Sequence, residues 1–385
     1  MRTLLILLTT TMLAACGGGD AQSVASNAVL PGSSTPVTGT TSGGTGGGVA
    51  IGTGNSGTAA TSTFLAITTA KTFQSVGSLQ SLSIASTGGV LYSGNASTVR
   101  TPSGTIAYDP RDGIFTLTLG DTKANVNTNT RYQDPAHRTD FNPVARPSWG
   151  VPDLVNFNYL EALGTSEDTL TFFYQRPGVS TNYVSLAGYV RNPLSTSTAD
   201  PKIYERGAMV FGDLTPQAQI PVTGTGTYSG GFLATMVNNS ALASRPTYFQ
   251  WIAGTSSVNV DFSRATFNLS LTGSVTQAEF EGVVVTNTGV PQGAIFTAAG
   301  SGTIDFLHTA GFTGSFQSAQ FASGGTTTPV DFASVSAGSS TAGASSIDGA
   351  FYGPNAVNVG GNFRIVGGIP NQRVDILGAF TGAKQ

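Results

Sequence analysis

Beyond about Pro221 the chain alternates between apolar and polar positions. Tyr228, Gly230, Phe232, Ala234 and Met236 fall on one parity, as do Val258, Val260 and Phe262, then Phe267, Leu269 and Leu271. Ile304 with Phe306, and Phe312 with Gly314 and Phe316, carry the pattern on. It ends with Ile347, Gly349 and Phe351, then Val357, Val359, Gly361, Phe363 and Ile365, then Val374, Ile376, Gly378 and Phe380. A period of two puts each set on one side of a strand. Asp261, Asp305, Asp348 and Asp375 take the opposite side, where carboxylates are expected to face solvent and discourage edge pairing.

About eight such strands, each with one apolar face and short turns, suit a closed antiparallel barrel just wide enough to be filled by side chains. A β-sandwich satisfies the same alternation. Glycines on the apolar parity are expected to make room between Phe and Val in a narrow barrel. Gly353-Pro354-Asn355 is expected to turn one strand into the next, and Gly360-Gly361 to let the second one coil.

Between Phe64 and Pro216 the strands are shorter and less regular. Thr105–Tyr108 and Gly113–Leu119 flank Asp109-Pro110-Arg111-Asp112 as a hairpin. Leu170–Gln175 and Tyr183–Arg191 read as aromatic-rich strands. Asp153–Leu163 is the one stretch whose apolar residues fit helical spacing, loosely. The fold class predicted is all-β: an amino-terminal antiparallel handle-like domain over 63–215, then a closed eight-stranded antiparallel barrel over 216–385.

The amino-terminal segment is different in kind. Arg2, a short apolar core and Leu13-Ala14-Ala15-Cys16 form a secretory signal over 1–15 that resembles the bacterial lipobox. Cys16, the single cysteine, is then the lipidation site, and no internal disulfide exists. The apolar run is too short to span a bilayer, so the anchor is lipid. In the lipoprotein class an Asp after the Cys tends to retain a protein in the inner membrane; Gly17 stands there, which implies an outer-membrane destination. Residues 16–62 are Gly, Ser, Thr and Ala with scattered Val, and read as a flexible tether.

Charged residues make up 10% of the chain and the formal net charge is −3, so nothing favours nucleic acid. His137 and His308 are far apart and no G-x-S-x-G or H-E-x-x-H occurs; no catalytic residue, metal site or cofactor is implied.

Four stretches resemble the barrel domain of transferrin-binding protein B-like surface lipoproteins: GTGTYSGGF (224–232), IDF (304–306), GFTGSF (311–316) and IDGAFYGPNAVNVGGNFRI (347–365). AMVFGDLTP (208–216) looks like the stretch entering that barrel. Asn358 departs from the family, which more often has a carboxylate there. The resemblance implies a handle plus barrel lobe, lipid-anchored on the outer membrane and commonly displayed on the cell surface by a dedicated translocon. Known members bind host iron carriers, haemoglobin or haem-related proteins, or complement regulators.

The expected function is therefore a non-enzymatic surface lipoprotein that binds a macromolecule in iron or haem acquisition. An iron- or haem-carrier protein, a TonB-dependent receptor and a surface-lipoprotein translocon are the expected partners. The alternatives are a small-molecule binder with a lipocalin-like cup, and a structural or adhesive lipoprotein. For partner binding the segment with Arg131, Tyr132, Arg138, Arg146 and Trp149 stands out, because Arg, Tyr and Trp dominate interface hot spots. The same residues also suit an irregular handle segment with Trp149 in its core. Loops 238–248, with Arg245 and Tyr248, and 323–345 are weaker candidates.

Overall fold

The computed structural model describes residues 67–133, 149–164, 168–240, 247–280, 283–286, 288–370 and 372–385, without the side chains of 239 and 240. Cys16, the tether, His137, Arg138, Arg146 and Arg245 lie outside the described residues.

The first sheet is built from β1 (Lys71–Ile84), β2 (Val90–Ala96), β3 (Gly104–Asp109), β4 (Ile114–Asp121), β5 (Val126–Gln133), β6 (Phe157–Leu163), β7 (Asp168–Gln175), β8 (Val184–Pro193) and β9 (Lys202–Gly212). Its order is β5-β4-β3-β1-β9-β8-β7-β6, all antiparallel, with β2 on the far end of β1. The β3–β4 hairpin is the one the sequence predicts, and the two predicted aromatic-rich strands, β7 and β8, pair with each other. The sheet curls until β5 and β6 face each other. Phe73, Phe115, Tyr132, Phe172, Tyr189 and Phe211 fill the inside of the roll.

Asp153–Leu163 is not a helix. Its second half is β6, paired with β7 from Phe157 opposite Gln175 to Leu163 opposite Thr169. Tyr159 and Leu160 are buried on opposite faces, so β6 needs apolar residues on both parities, and that imitates loose helical spacing. The Tyr159 hydroxyl donates to the Pro152 carbonyl and accepts from the Leu154 N–H, both at 2.8 Å, which holds the lead-in to the strand.

The second sheet contains β10 (Thr225–Ser240), β11 (Tyr248–Asp261), β12 (Thr266–Val275), β13 (Glu279–Phe280), β14 (Val283–Val284), β15 (Ile295–Asp305), β16 (Gly311–Ser323), β17 (Thr326–Pro329), β18 (Ala344–Tyr352), β19 (Asn358–Ile369) and β20 (Gln372–Lys384). Eight of them run β10-β20-β19-β18-β16-β15-β12-β11, and β11 pairs back onto β10. The cylinder is therefore closed, antiparallel and eight-stranded. The alternating apolar residues point inward: Phe232, Phe267, Phe312, Phe316, Phe351, Phe363 and Phe380 are all buried in one core. Their rings touch in series, Phe267–Phe312 at 4.8 Å, Phe312–Phe351 at 5.5 Å and Phe316–Phe363 at 5.7 Å. A bulge after Phe316 shifts the register against Ala299 and Gly300, so the inward parity jumps to Ala319 and Phe321.

The β18–β19 turn is a short 3-10 element, Pro354–Ala356. Gly353 has φ +73°, and a Cβ there would stand 2.5 Å from the Tyr183 ring, so only glycine suits. Gly361 serves close approach: its Cβ would meet the Asp348 carbonyl at 2.4 Å.

The two sheets belong to one compact unit. The even-numbered side of β1 and the matching sides of β8 and β9 lie on the outer wall of the barrel. Val76, Val184, Leu186, Val190, Ala208 and Val210 pack with Leu233, Trp251, Tyr352 and Ala379. Hydrogen bonds seal the contact: Ser78 Oγ to the Phe363 carbonyl at 3.0 Å, and Asn362 Nδ2 to the carbonyls of Gly77 at 2.8 Å and Ser97 at 2.9 Å. Asn358 accepts the N–H groups of Asn182 (3.2 Å) and Tyr183 (3.0 Å) on its Oδ1 and donates to the Val357 carbonyl at 2.9 Å.

This packing corrects one expectation. Asp348 and Asp375 do sit on the outer wall, but the first sheet covers that part of it. Asp375 is buried and held by Arg373, and Asp348 accepts the Val99 N–H at 2.6 Å.

Candidate functional site

Among the described residues the barrel core is filled by buried side chains. Several recesses open on the outside. One of about 580 Å³ opens where β9 and the segment before β6 meet the ends of β11 and β12. Gly150, Val151, Arg206, Phe249, Trp251 and Glu279 line it.

Arg206 is the unusual member. It is 1% exposed, on the barrel side of β9. Its Nη1 donates to the carbonyls of Arg191 at 3.0 Å and Glu205 at 2.8 Å. The guanidinium lies 5.0 Å from the Phe249 ring centre and 6.0 Å from that of Trp149. Burial lowers its pKa to about 9, so it stays a cation at neutral pH. Aromatic faces and carbonyl dipoles thus replace the water it has lost.

Trp149 and Gly150 are fixed from several sides. The Asn192 amide donates to the Trp149 carbonyl at 2.8 Å, and the Trp251 indole N–H to the Gly150 carbonyl at 2.8 Å. The Gly150 N–H donates to Glu279 at 3.1 Å. The half-buried Trp149 ring rests 6.1 Å from that of Tyr204. Trp149 is thus a strut of the junction as well as part of its surface.

The other partner-binding candidates separate. Arg131 is exposed on β5, beside a slot of about 390 Å³ between β5 and β6. Tyr132, next to it, points the opposite way and is buried 5.9 Å from the Phe172 ring. That is a correction: strand alternation sends Tyr132 into the core, so it offers no face to a partner. Tyr248 is also buried, its hydroxyl accepting the Gly289 N–H at 2.9 Å. His308 is an exposed turn residue beside Asp305, 3.1 Å away.

Beneath the slot lies a charged network that sequence reading missed. Arg191 donates to Asp168 at 2.8 Å and to Glu205 at 3.0 Å, and the Tyr189 hydroxyl donates to Glu205 at 2.9 Å. Burial raises the Glu205 pKa, and Arg191 opposes the shift. The available signal was Glu205-Arg206 interrupting an otherwise apolar run into Phe211. Charges inside a strand buried on both faces must find partners.

These features define a class: a filled antiparallel barrel with a curled sheet on its wall and candidate recognition surfaces at the junction. The family described as C-lobe and N-lobe beta barrels of Tf-binding protein B matches residues 220–385. Over those residues the chain is similar to the transferrin-binding protein B barrels. Solved structures align more loosely. A transferrin binding protein B double mutant from Haemophilus parasuis Hp5 is 13% identical, with TM-score 0.34, over 83% of this chain and 76% of that one. Isotype 1 transferrin binding protein B from serogroup B Neisseria meningitidis is 11% identical, with TM-score 0.30, over 82% and 77%. A protein described as a surface lipoprotein is 13% identical, with TM-score 0.29, over 80% and 99%. No curated protein matches the chain.

Proposed function

We propose that this is a non-enzymatic, lipid-anchored outer-membrane protein, displayed at the cell surface, that captures an iron- or haem-carrier protein. The observation that carries the reading is the barrel itself: it matches the transferrin-binding protein B barrel family, and its interior is filled by phenylalanines. A filled barrel binds nothing inside, so affinity resides in the exposed edges and loops of a rigid scaffold. Cys16 would carry the anchor, and a TonB-dependent receptor and a surface-lipoprotein translocon fit as membrane partners.

The test uses the mature protein immobilised and challenged with transferrin, haemoglobin and, as a control, albumin. Capture of transferrin or haemoglobin but not albumin is the expected result. Arg131→Glu, on an exposed strand position, is expected to weaken that capture at least tenfold without changing the circular dichroism spectrum (about 1.4 kcal/mol). Failure to retain either carrier would leave the structural or adhesive role as the better account.

A further inference from the structure

A second recess, of about 560 Å³, lies on the opposite flank of the junction, where β2 crosses the outer wall of β19 and β20. Lys123, Arg364, Arg373, Asp375 and Tyr92 line it, with Val90 and Leu91 on its rim. In a chain with only 17 lysines and arginines among 385 residues, three of them on one recess is a marked concentration. The carboxylate in the recess is already engaged. Arg373 grips Asp375 through Nε to Oδ1 at 3.0 Å and through Nη2 to Oδ2 at 3.0 Å.

Arg364 is left over. It projects from the outer face of β19, because its neighbours Phe363 and Ile365 point into the barrel. It is half-buried, its Nε is fully covered, and that Nε has no hydrogen-bond partner. A covered guanidinium N–H without an acceptor is costly, and such groups are normally paired. Lys123 adds an exposed ammonium from the β4–β5 turn. The recess therefore holds a surplus of positive charge, with donors converging from three parts of the fold.

We propose that this recess binds a phosphate group. Guanidinium and ammonium donors recognise tetrahedral oxyanions through charge-assisted hydrogen bonds. A phosphate monoester, with its charge of about −1.5 to −2, matches the surplus better than a single carboxylate does. Val90 and Leu91, 52% and 62% exposed, form an apolar rim beside the cations. A phosphate carried on an apolar body would use both, so either a lipid headgroup or a free phosphate compound supplies the same chemistry.

The experiment is calorimetric titration of the whole chain with inorganic phosphate at fixed ionic strength, alongside flotation with vesicles of phosphatidic acid, whose headgroup is a phosphate monoester, and of phosphatidylcholine. One phosphate site is expected, weakened at least about tenfold in Arg364→Gln and measurably in Lys123→Gln. Lys123 is exposed, so its substitution leaves the fold intact and keeps the test valid should the Arg364 variant misfold. Flotation with phosphatidic acid but not phosphatidylcholine, lost in both variants, identifies the source as a headgroup; phosphate binding without flotation identifies a soluble one. Absence of both phosphate binding and flotation, or binding indifferent to both substitutions, overturns the proposal.

Discussion

At the residue scale the most informative side chain is Asp348. It lies on the barrel wall under the 98–101 turn and accepts the Val99 N–H at 2.6 Å. Burial raises its pKa to about 6; the Val99 N–H and Arg100 pull the other way without overcoming it. The sign of the linkage follows. As pH rises from about 4, the unfolded chain ionises at Asp348 before the folded one does, so folding loses stability until about pH 6 and stays at the lower value above it. Asp348→Asn keeps an acceptor for Val99 and removes the charge. It is expected to raise stability at pH 7 by about 1–3 kcal/mol and to change little at pH 4. Urea denaturation at both pH values checks this; equal stability of the two proteins at pH 7 would refute it.

Single elements carry the next set of consequences. β19 has a different task on each face. Inward, Phe363 meets Phe232 at 6.1 Å and Phe316 at 5.7 Å. Phe363→Ala is expected to destabilise by about 3–5 kcal/mol, read from the denaturation midpoint, with Phe363→Leu far milder. Outward, Asn362 ties β19 to Gly77 and Ser97 of the first sheet. Asn362→Ala leaves those buried carbonyls short of a donor and is expected to cost about 1–3 kcal/mol. At the turn before β19, Gly353→Ala combines φ +73° with the Tyr183 ring at 2.5 Å. It is expected to lower the melting temperature more than Gly224→Ala, where φ is +80° but nothing lies within 4 Å of the new Cβ.

For the whole molecule the question is whether sheet and barrel are separable. Their shared core includes Val184 and Leu186 on one side and Leu233, Trp251 and Tyr352 on the other. Residues 216–385 expressed alone would bare that wall, and a contiguous apolar surface invites association. The fragment is expected to bind a hydrophobic dye and to melt below the full chain. The full chain is expected to unfold in one transition, with tryptophan fluorescence and circular dichroism coincident, because Trp149 and Trp251 both report on the junction. Two resolved transitions would show that sheet and barrel fold independently.

The sequence by itself determined the strands of the second sheet and the inward face of each, while their closure into a barrel rather than a sandwich was decided by β11 pairing back onto β10. Each of its strands buries one face, so a period of two is written directly into Phe267-x-Leu269-x-Leu271 and Val374-x-Ile376-x-Gly378-x-Phe380. The turn at Gly353-Pro354-Asn355 was legible for the same local reason. The first sheet was less legible because β1, β8 and β9 are buried on both faces, one against the roll and one against the barrel. Two-sided burial erases alternation, which is why β6 resembled a helix. Only the tertiary structure decided the partnering of Arg206 by rings and carbonyls, and the placing of Lys123 and Arg364 on one recess. Those residues are separated by tens or hundreds of positions, and their chemistry arises from strands brought together by packing, which no local spacing records.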